Sequence, residues 1–244
     1  LKPTGKEFTF PPEWIPTPIQ WKNYPEALTR LPFVLYFRNT MIIVLCAMTG
    51  TLLTASMAGF AFAQVRFPLR SFWFGVLLAT LMLPSIVTLV PTYILFANLG
   101  WVNTFLPLTV PSFFGGGAFN IFLLRQFFMT IPYELHESAK VDGAGTFRIL
   151  WQIMLPLAMP ALGAVAIFSF LSHWNAFLEP LIYINSEHLK TMALGLRKFQ
   201  GFYSASWNYM MAAATTMLIP VLIVFFSAQR YFVRGIATTG FGGR

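Results

Sequence analysis

Residues 39–63 read NTMIIVLCAMTGTLLTASMAGFAFA, and no charged side chain occurs between Arg38 and Arg66. An α-helix needs about 20 apolar residues to cross the hydrocarbon core of a bilayer, which is about 30 Å thick. The stretch meets that requirement, so it predicts a transmembrane helix. Small residues recur three to four positions apart within it, which favours close packing against another helix.

The composition of the whole chain is that of a membrane protein. Of its 244 residues, 57% are hydrophobic and 10% are charged, and the mean hydropathy is +0.66. The formal net charge is +8, but the Lys and Arg residues are scattered singly between apolar blocks, which argues against nucleic-acid binding. Cys46 is the only cysteine, and His136, His173 and His188 lie in separate segments. We therefore expect neither an intrachain disulfide nor a metal site.

Further charge-poor stretches predict an all-α membrane protein, a helical bundle with five visible spans. The predicted spans are residues 39–63, 72–97, 106–129, 157–184 and 208–232. The polar stretch between the last two is expected to be a surface loop with a short helix near TMALGLRKF. Because five is an odd number, residues 1–38 and the tail 233–244 are expected on opposite faces of the membrane. Basic residues divide evenly between the two faces, so the positive-inside rule does not decide the orientation.

The second and third spans form a predicted hairpin. The uncharged stretch from Arg70 to Arg125 is too long for one crossing, and NLGWVNTFLP interrupts it with turn-forming residues. Pro84 and Pro91 are expected to kink the first arm. The glycine run at 115–117 suggests a packing or bending point. No Gly-Lys-Ser/Thr sequence follows it, so the run is not a phosphate-binding loop, and the chain shows no ATP site.

The connection between the third and fourth spans, residues 130–156, is charged and contains ESAKVDGAG at 137–145. Pro132 suits the first turn of a helix, because its missing N–H would have no partner there. We predict a helix over 132–142 that ends at Gly143 in the left-handed conformation. Thr146 is then expected to cap a second helix through its hydroxyl.

The two predicted helices of this connection have different surfaces. On the second, an apolar stripe is expected to lie against the bundle or at the lipid interface; it consists of Phe147, Leu150, Trp151 and Met154. On the first, the small Ser138 and Ala139 would let a groove on another protein approach the backbone, and Glu137 would orient it. A solvated connector is the alternative interpretation, and the spacing alone leaves both open.

The connection resembles the cytoplasmic loop of ABC importer permeases, which has the form E-A-A, three residues, G, nine residues, I-x-L-P. The matching positions are Glu137, Ser138, Ala139, Gly143, Ile153, Leu155 and Pro156, and only Ser138 departs, conservatively. The resemblance covers nearly the whole chain and points to the carbohydrate-importing branch, similar to the smaller permease of the maltose importer. That branch has a further transmembrane helix at its N-terminus, so a sixth span is expected upstream of Leu1.

The resemblance implies a permease that does not itself hydrolyse ATP. Its partners would be two cytoplasmic ATPase subunits, which bind ATP and Mg, a second and different permease chain, and an extracytoplasmic solute-binding protein. No cofactor is expected in this chain. The implied location is the prokaryotic inner membrane, with the Glu137 face cytoplasmic, residues 1–38 outside and 233–244 inside. The coupling residues implied are Glu137, Ser138, Ala139, Lys140, Asp142, Gly143 and Ala144.

The fourth predicted span carries the densest polar group at membrane depth, which makes His173, Trp174 and Asn175 candidates for the solute path. Trp174 beside Asn175 would suit sugar stacking and hydroxyl recognition, but Trp is also a common boundary anchor. The nearby Glu179 is expected at the interface.

The resemblance favours import of a sugar or oligosaccharide by alternating access. A polyamine or a phosphate ester remains an alternative solute within the same family. A secondary carrier would be expected to carry paired charges within its spans, whereas these spans are almost uncharged. An intramembrane enzyme would need clustered His, Asp, Cys or Lys residues, and the sequence shows none.

Overall fold

The computed structural model describes residues 1–3, 5, 8–11, 14–201 and 206–240, with side chains described as far as Ser227. Within these residues the chain is α-helical, and no β-strand occurs. The helices are α1 (Asn23–Arg30), α2 (Phe33–Gln64), α3 (Arg70–Ala79), α4 (Ser85–Asn98), α5 (Leu106–Thr109), α6 (Ala118–Thr130), α7 (Tyr133–Val141), α8 (Thr146–Ile149), α9 (Leu155–Leu157), α10 (Met159–Trp174), α11 (Leu178–Tyr183), α12 (Met192–Arg197) and α13 (Trp207–Gly240).

Helix α2 is the centre of the bundle. Its 32 residues extend about 48 Å at 1.5 Å per residue, which exceeds the hydrocarbon thickness. It packs along α6 and α10, and α10 also packs against α13. At Gly59 a side-chain Cβ would lie 3.0 Å from Leu124 Cβ and 3.1 Å from the backbone nitrogen of Arg125. The absence of a side chain therefore permits the close approach of α2 and α6.

Three helical stretches are long and apolar enough to cross a membrane, judged by length and composition within the described residues: Phe33–Gln64, Leu106–Thr130 and Trp207–Ser227. Two bent pairs pass the same test together, so the number of spans rises to five if each pair is one span. The first pair, Arg70–Met82 with Ser85–Asn98, is bent by 100°. The second, Thr146–Leu157 with Met159–Trp174, is bent by 83°.

The bend in the first pair occurs at one of the two expected prolines only. Leu83 and Pro84 have extended backbones, with ψ of 118° and 131°, and α4 begins after them. Pro91 lies inside α4, and the helix continues through it to Asn98. The helix is therefore interrupted at Pro84 and not at Pro91.

Two other predicted spans are interrupted where the sequence suggested one helix. In the stretch 106–129, α5 and a 3₁₀ turn precede Gly115, Gly116 and Gly117, all three with positive φ, and α6 starts only after them. In the stretch 157–184, α10 ends at Trp174 and the short α11 follows after a break. Helix α13 continues to Gly240, through most of the predicted tail, whereas residues 241–244 lie outside the described residues.

The two ends of the bundle have different surroundings, and we name them after Glu187 and Gly143. At the Glu187 end, the loop before α12 is fixed to the start of α2. The Asn39 amide donates to the backbone carbonyls of His188 (2.8 Å) and Lys190 (3.0 Å).

Glu187 accepts hydrogen bonds from Lys190 Nζ (2.7 Å), Lys198 Nζ and the Tyr36 hydroxyl. These donors, the lysines first, lower the pKa of Glu187 to about 2.

Candidate coupling helix and solute cavity

Helix α7 lies at the Gly143 end, in the connection between α6 and α10. Pro132 precedes it with an extended backbone (φ −54°, ψ 131°), so Tyr133 rather than Pro132 is its first residue. The helix ends at Val141, one residue before the predicted end. A prediction from sequence alone cannot fix helix ends more closely than this.

A Schellman motif ends α7. Gly143 has φ +80°. Its N–H donates to the carbonyl of Lys140 (3.0 Å), and the N–H of Ala144 donates to the carbonyl of Ala139 (2.9 Å). Ala139 and Ala144 both belong to the same apolar cluster, which supplies the hydrophobic contact that usually accompanies this motif. The predicted left-handed conformation at Gly143 is thus present, and it is held by two backbone hydrogen bonds.

The two faces of α7 differ sharply in exposure. His136 is 1% exposed and Ala139 is 6% exposed, and both face the bundle. The outer surface consists of exposed residues, among them Glu137, Ser138, Lys140 and Asp142. The expectation that Ala139 lies beside Ser138 on an outer docking surface is therefore wrong, because its side chain packs inward. The coupling role of the other predicted residues stays a prediction.

The second helix of the connection also differs from its prediction. Gly145 occupies the position before the helix, Thr146 is its first residue, and no side chain caps it. A π-helical turn over Leu150–Met154 then widens the helix and rotates the residues that follow. The predicted apolar stripe is divided between buried and exposed positions. Its members Leu150 and Met154 are buried, whereas Phe147 and Trp151 are 66% and 49% exposed.

A cavity of about 650 Å³ lies between α4, the 3₁₀ turn after α5, and the segment from the end of α10 to α11. The side chains of its polar wall are those of Ser85, Thr88, Thr92, Ser112, Ser172, His173, Glu179 and Tyr183. His173 Nδ1 lies 2.8 Å from the carbonyl oxygen of Ser169, to which it can donate. In that tautomer Nε2 accepts from the Ser112 hydroxyl at 3.4 Å. The cavity therefore presents hydroxyl groups, one imidazole and one carboxylate.

The three predicted solute-path residues do not line one site. Only His173 faces this cavity. Trp174 is 2% exposed; it stacks on Phe170 (centroids 5.4 Å apart) and meets the ring of Phe37 edge-on at 6.0 Å. Trp174 and Asn175 line a different groove, of about 550 Å³. The indole of Trp174 thus packs in the core outside the polar cavity, and solute contact by Trp174 and Asn175 stays a prediction.

Sequence reasoning missed most of the cavity wall. Thr88 and Ser112 come from separate predicted spans, and each lies in a predominantly apolar stretch with a few other hydroxyl residues. Such residues are common in membrane helices, where they bond to their own backbone, as Thr88 does to the carbonyl of Ser85 at 3.0 Å. Only the three-dimensional structure shows that they line one cavity. Glu179, expected at the interface, also lines this cavity.

Comparisons with known proteins agree with this architecture. The sn-glycerol-3-phosphate transport system permease protein UgpE of Rhizobium meliloti (strain 1021) is 38% identical over 227 residues, which cover 89% of this chain and 80% of that protein. The protein of the same name from Brucella abortus (strain 2308) is 37% identical over 203 residues, covering 82% and 71%.

Solved structures show the same fold. A bacterial ABC transporter involved in the import of the acidic polysaccharide alginate has a chain that matches with a TM-score of 0.79 at 23% identity, over 89% of this chain and 81% of that one. The family described as "Binding-protein-dependent transport system inner membrane component" matches residues 50–238. The chain therefore belongs to this family, the inner-membrane permeases of ABC importers.

Proposed function

We propose that this permease imports a small, neutral, hydroxyl-rich solute such as a sugar, and that α7 is the helix through which an ATPase subunit drives it. The observation that carries the coupling part is the combination of a Schellman-capped helix, an inner face buried in the bundle, and an exposed polar outer face. The solute part is supported by the hydroxyl-lined cavity.

The structure of α7 suits the transmission of force. To move a two-state equilibrium from 1:99 to 99:1, a partner must bind one state more tightly by about 5.5 kcal/mol. A helix held at its end by two backbone hydrogen bonds can transmit such a difference, whereas a loose connector would absorb it. In this proposal Glu137 and Ser138 face the partner, and Gly143 fixes the direction in which the chain leaves the helix.

The remaining partners follow from the same proposal. Two ATPase subunits would bind ATP and Mg at the cytoplasmic face, which is then the Gly143 end. A second permease chain would complete the pathway. A solute-binding protein would deliver solute at the Glu187 end. ATP binding would bring the ATPase subunits together, and the attached helices would shift the permeases between inward-open and outward-open states.

The cavity wall supports a neutral hydroxylated solute. Serine and threonine hydroxyls both donate and accept hydrogen bonds, as sugar hydroxyls do. Glu179 can accept further hydrogen bonds from solute. No Lys or Arg is among the described residues that line this cavity. A phosphate group would meet a carboxylate there without a compensating cation from this chain.

The second candidate is sn-glycerol-3-phosphate, and it is favoured by the relatives from Rhizobium and Brucella, which carry that name. It shares its hydroxyl groups with sugars. A phosphate would then need its cation from the second permease or from the binding protein.

The test uses the assembled transporter in proteoliposomes with its binding protein. ATP hydrolysis and uptake are measured with neutral sugars and with sn-glycerol-3-phosphate. We expect stimulation by a neutral sugar and a loss of uptake of about fivefold in Ser112→Ala or Thr88→Val, the equivalent of one hydrogen bond. Thr215→Val is the matched control, because Thr215 is exposed on α13 and outside the cavity. Stimulation by sn-glycerol-3-phosphate alone would overturn the neutral-solute proposal, and uptake without ATP would overturn the coupling proposal.

A further inference from the structure

His136 lies at the junction between α7 and the membrane bundle. It is 1% exposed, although the neighbouring Glu137 and Ser138 are exposed. Its imidazole stacks on the Tyr133 ring with centroids 5.3 Å apart and an interplanar angle of 9°. On the bundle side it meets the Phe60 ring at 5.9 Å. The imidazole is therefore packed between an aromatic ring of its own helix and one of α2.

The ring contacts continue from α2 into α6. Phe60 meets Phe128 edge-on at 6.0 Å, and the two side chains are 2% and 0% exposed. Gln64 Nε2 donates to the carbonyl of Phe128 at 2.8 Å, so α2 and α6 are also joined by a hydrogen bond at this level. The rings of Tyr133, His136, Phe60 and Phe128 thus form one continuous row from α7 into two helices of the bundle. We call it the aromatic row.

Ala139, the other buried residue on the inner face of α7, has only a methyl group. A methyl group offers far less contact area than an imidazole ring. His136 is consequently the largest buried side chain by which α7 holds the bundle.

The surroundings of His136 favour the neutral imidazole. Burial is the main cause that lowers its pKa below the ordinary value of 6.5; Lys140 lowers it further, and Glu137 acts in the opposite direction. From the segment after α2, the Arg66 guanidinium lies 5.4 Å from the Tyr133 ring centroid and adds positive charge nearby. The buried Nδ1 has no hydrogen-bond partner in the described part of the chain. A proton on this ring would be opposed by burial and by Lys140, and favoured by the carboxylate of the exposed Glu137.

We infer that His136 is a positioning residue for transport: through the aromatic row it passes the movement of α7 to α2 and α6, and it does so as a neutral ring. The inference rests on the proposed coupling role of α7. It adds the contact through which the movement of α7 reaches the bundle. It also adds a condition, namely that the imidazole of His136 must be neutral for this contact to hold.

The sign of the pH effect follows from the lowered pKa. The unfolded or undocked chain binds a proton at higher pH than the packed one, so the packed state gains stability as pH rises. This stabilisation of the packed state is fully present above pH 6.5, and it is lost as the pH falls from 6.5 toward the lowered pKa of His136. Acidification of the Gly143 side should therefore reduce the amount of solute moved per ATP hydrolysed.

The test measures uptake per ATP hydrolysed by the assembled transporter in proteoliposomes, at about pH 7.5 and about pH 5.5 on the ATPase side. At the higher pH we expect His136→Ala to lose about fivefold or more of this ratio while ATP hydrolysis continues. His136→Phe keeps a ring but cannot be protonated. It should therefore keep the parent's uptake per ATP hydrolysed at the higher pH, and this ratio should not decrease at acid pH. His188→Phe is the matched control, because His188 is exposed at the opposite end and should behave like the parent at both pH values.

Each outcome bears on one claim. If His136→Ala couples as the parent does, or if His136→Phe shows the same fall at acid pH as the parent, the inference is overturned. If His136→Ala does not assemble, the comparison of His136→Phe with the parent still decides. A parent complex whose uptake does not depend on ATP would instead contradict the proposed function, independently of His136.

Discussion

Replacement of Gly143 by threonine tests the rigid end of α7. Gly143 has φ +80°, and an added Cβ there would meet no atom within 4 Å. The cost is thus a matter of backbone conformation, since steric overlap is absent. A left-handed conformation costs an L-residue roughly 1–2 kcal/mol, and β-branched residues tolerate it least. If the chain relaxes instead, it gives up the Schellman hydrogen bonds, each worth about 0.5–1.5 kcal/mol. Either way the capped state loses about 1–2 kcal/mol, which is a factor of roughly 5–30 in the equilibrium constant between the capped and uncapped states.

The assay is solute uptake per ATP hydrolysed in the reconstituted complex. We expect Gly143→Thr to lower this ratio by roughly 5–30-fold, with the protein still inserted and assembled. Gly145→Thr is the matched control, because Gly145 has an ordinary φ of −70°, an added Cβ there has open space, and threonine is accepted before a helix about as well as glycine. Gly143→Asn should fall between the two, since asparagine tolerates the left-handed region. Parent-like coupling in Gly143→Thr would refute the reasoning.

Three further predictions concern stability, measured as the thermal unfolding midpoint in detergent. Gly59→Leu should destabilise the protein by about 1–3 kcal/mol, because the new side chain would meet the α6 backbone. Gly75→Leu is the control and should be neutral, because the space around Gly75 is open. Equal unfolding midpoints for the two variants would contradict the close approach of α2 and α6. Gln64→Leu should lower the free energy of unfolding by about 1–3 kcal/mol, because the carbonyls of Phe128 and Ile131 at the end of α6 lose a buried hydrogen-bond donor. Gln152→Leu, on the surface, is the control and should change the stability little. The Glu187 carboxyl, with its pKa lowered to about 2, contributes stability above about pH 4.5 that is lost as pH falls toward 2. Glu187→Gln should therefore show a smaller acid-induced drop than the parent, and an identical drop would exclude the contribution.

Much of the fold could be predicted because lipid imposes simple requirements. The charge-free stretch between Arg38 and Arg66 corresponds to α2, and the number of apolar stretches corresponds to the three helices and two bent pairs of the structure. The interruptions were harder to place. Pro84 and Pro91 look equivalent in sequence, yet only Pro84 has the extended backbone that ends a helix. Which proline breaks a helix depends on whether the surrounding structure can accommodate the break.

The candidate site divides in the same way. The turn at Gly143 was predictable, because a glycine at that place after a short helix indicates a left-handed end. The direction of neighbouring side chains was not. Ala139 and Ser138 are adjacent and both small, yet one packs in the bundle and the other is exposed. His173 and Trp174 likewise face different spaces. Exposure at this level is decided by contacts between distant segments, which a single sequence does not display.

The most direct test of the central claim is the labelling of Ser138→Cys by a membrane-impermeant thiol reagent. Cys46, the only cysteine, is first replaced by serine. Ala139→Cys is the control, because that position is buried against the bundle and should react little in any preparation. We predict that Ser138→Cys reacts in inside-out membrane vesicles but not in right-side-out ones, and that assembly with the ATPase subunits blocks the reaction. Labelling from the outer face, or labelling that the ATPase subunits leave unchanged, would contradict the claim that α7 is the cytoplasmic coupling helix.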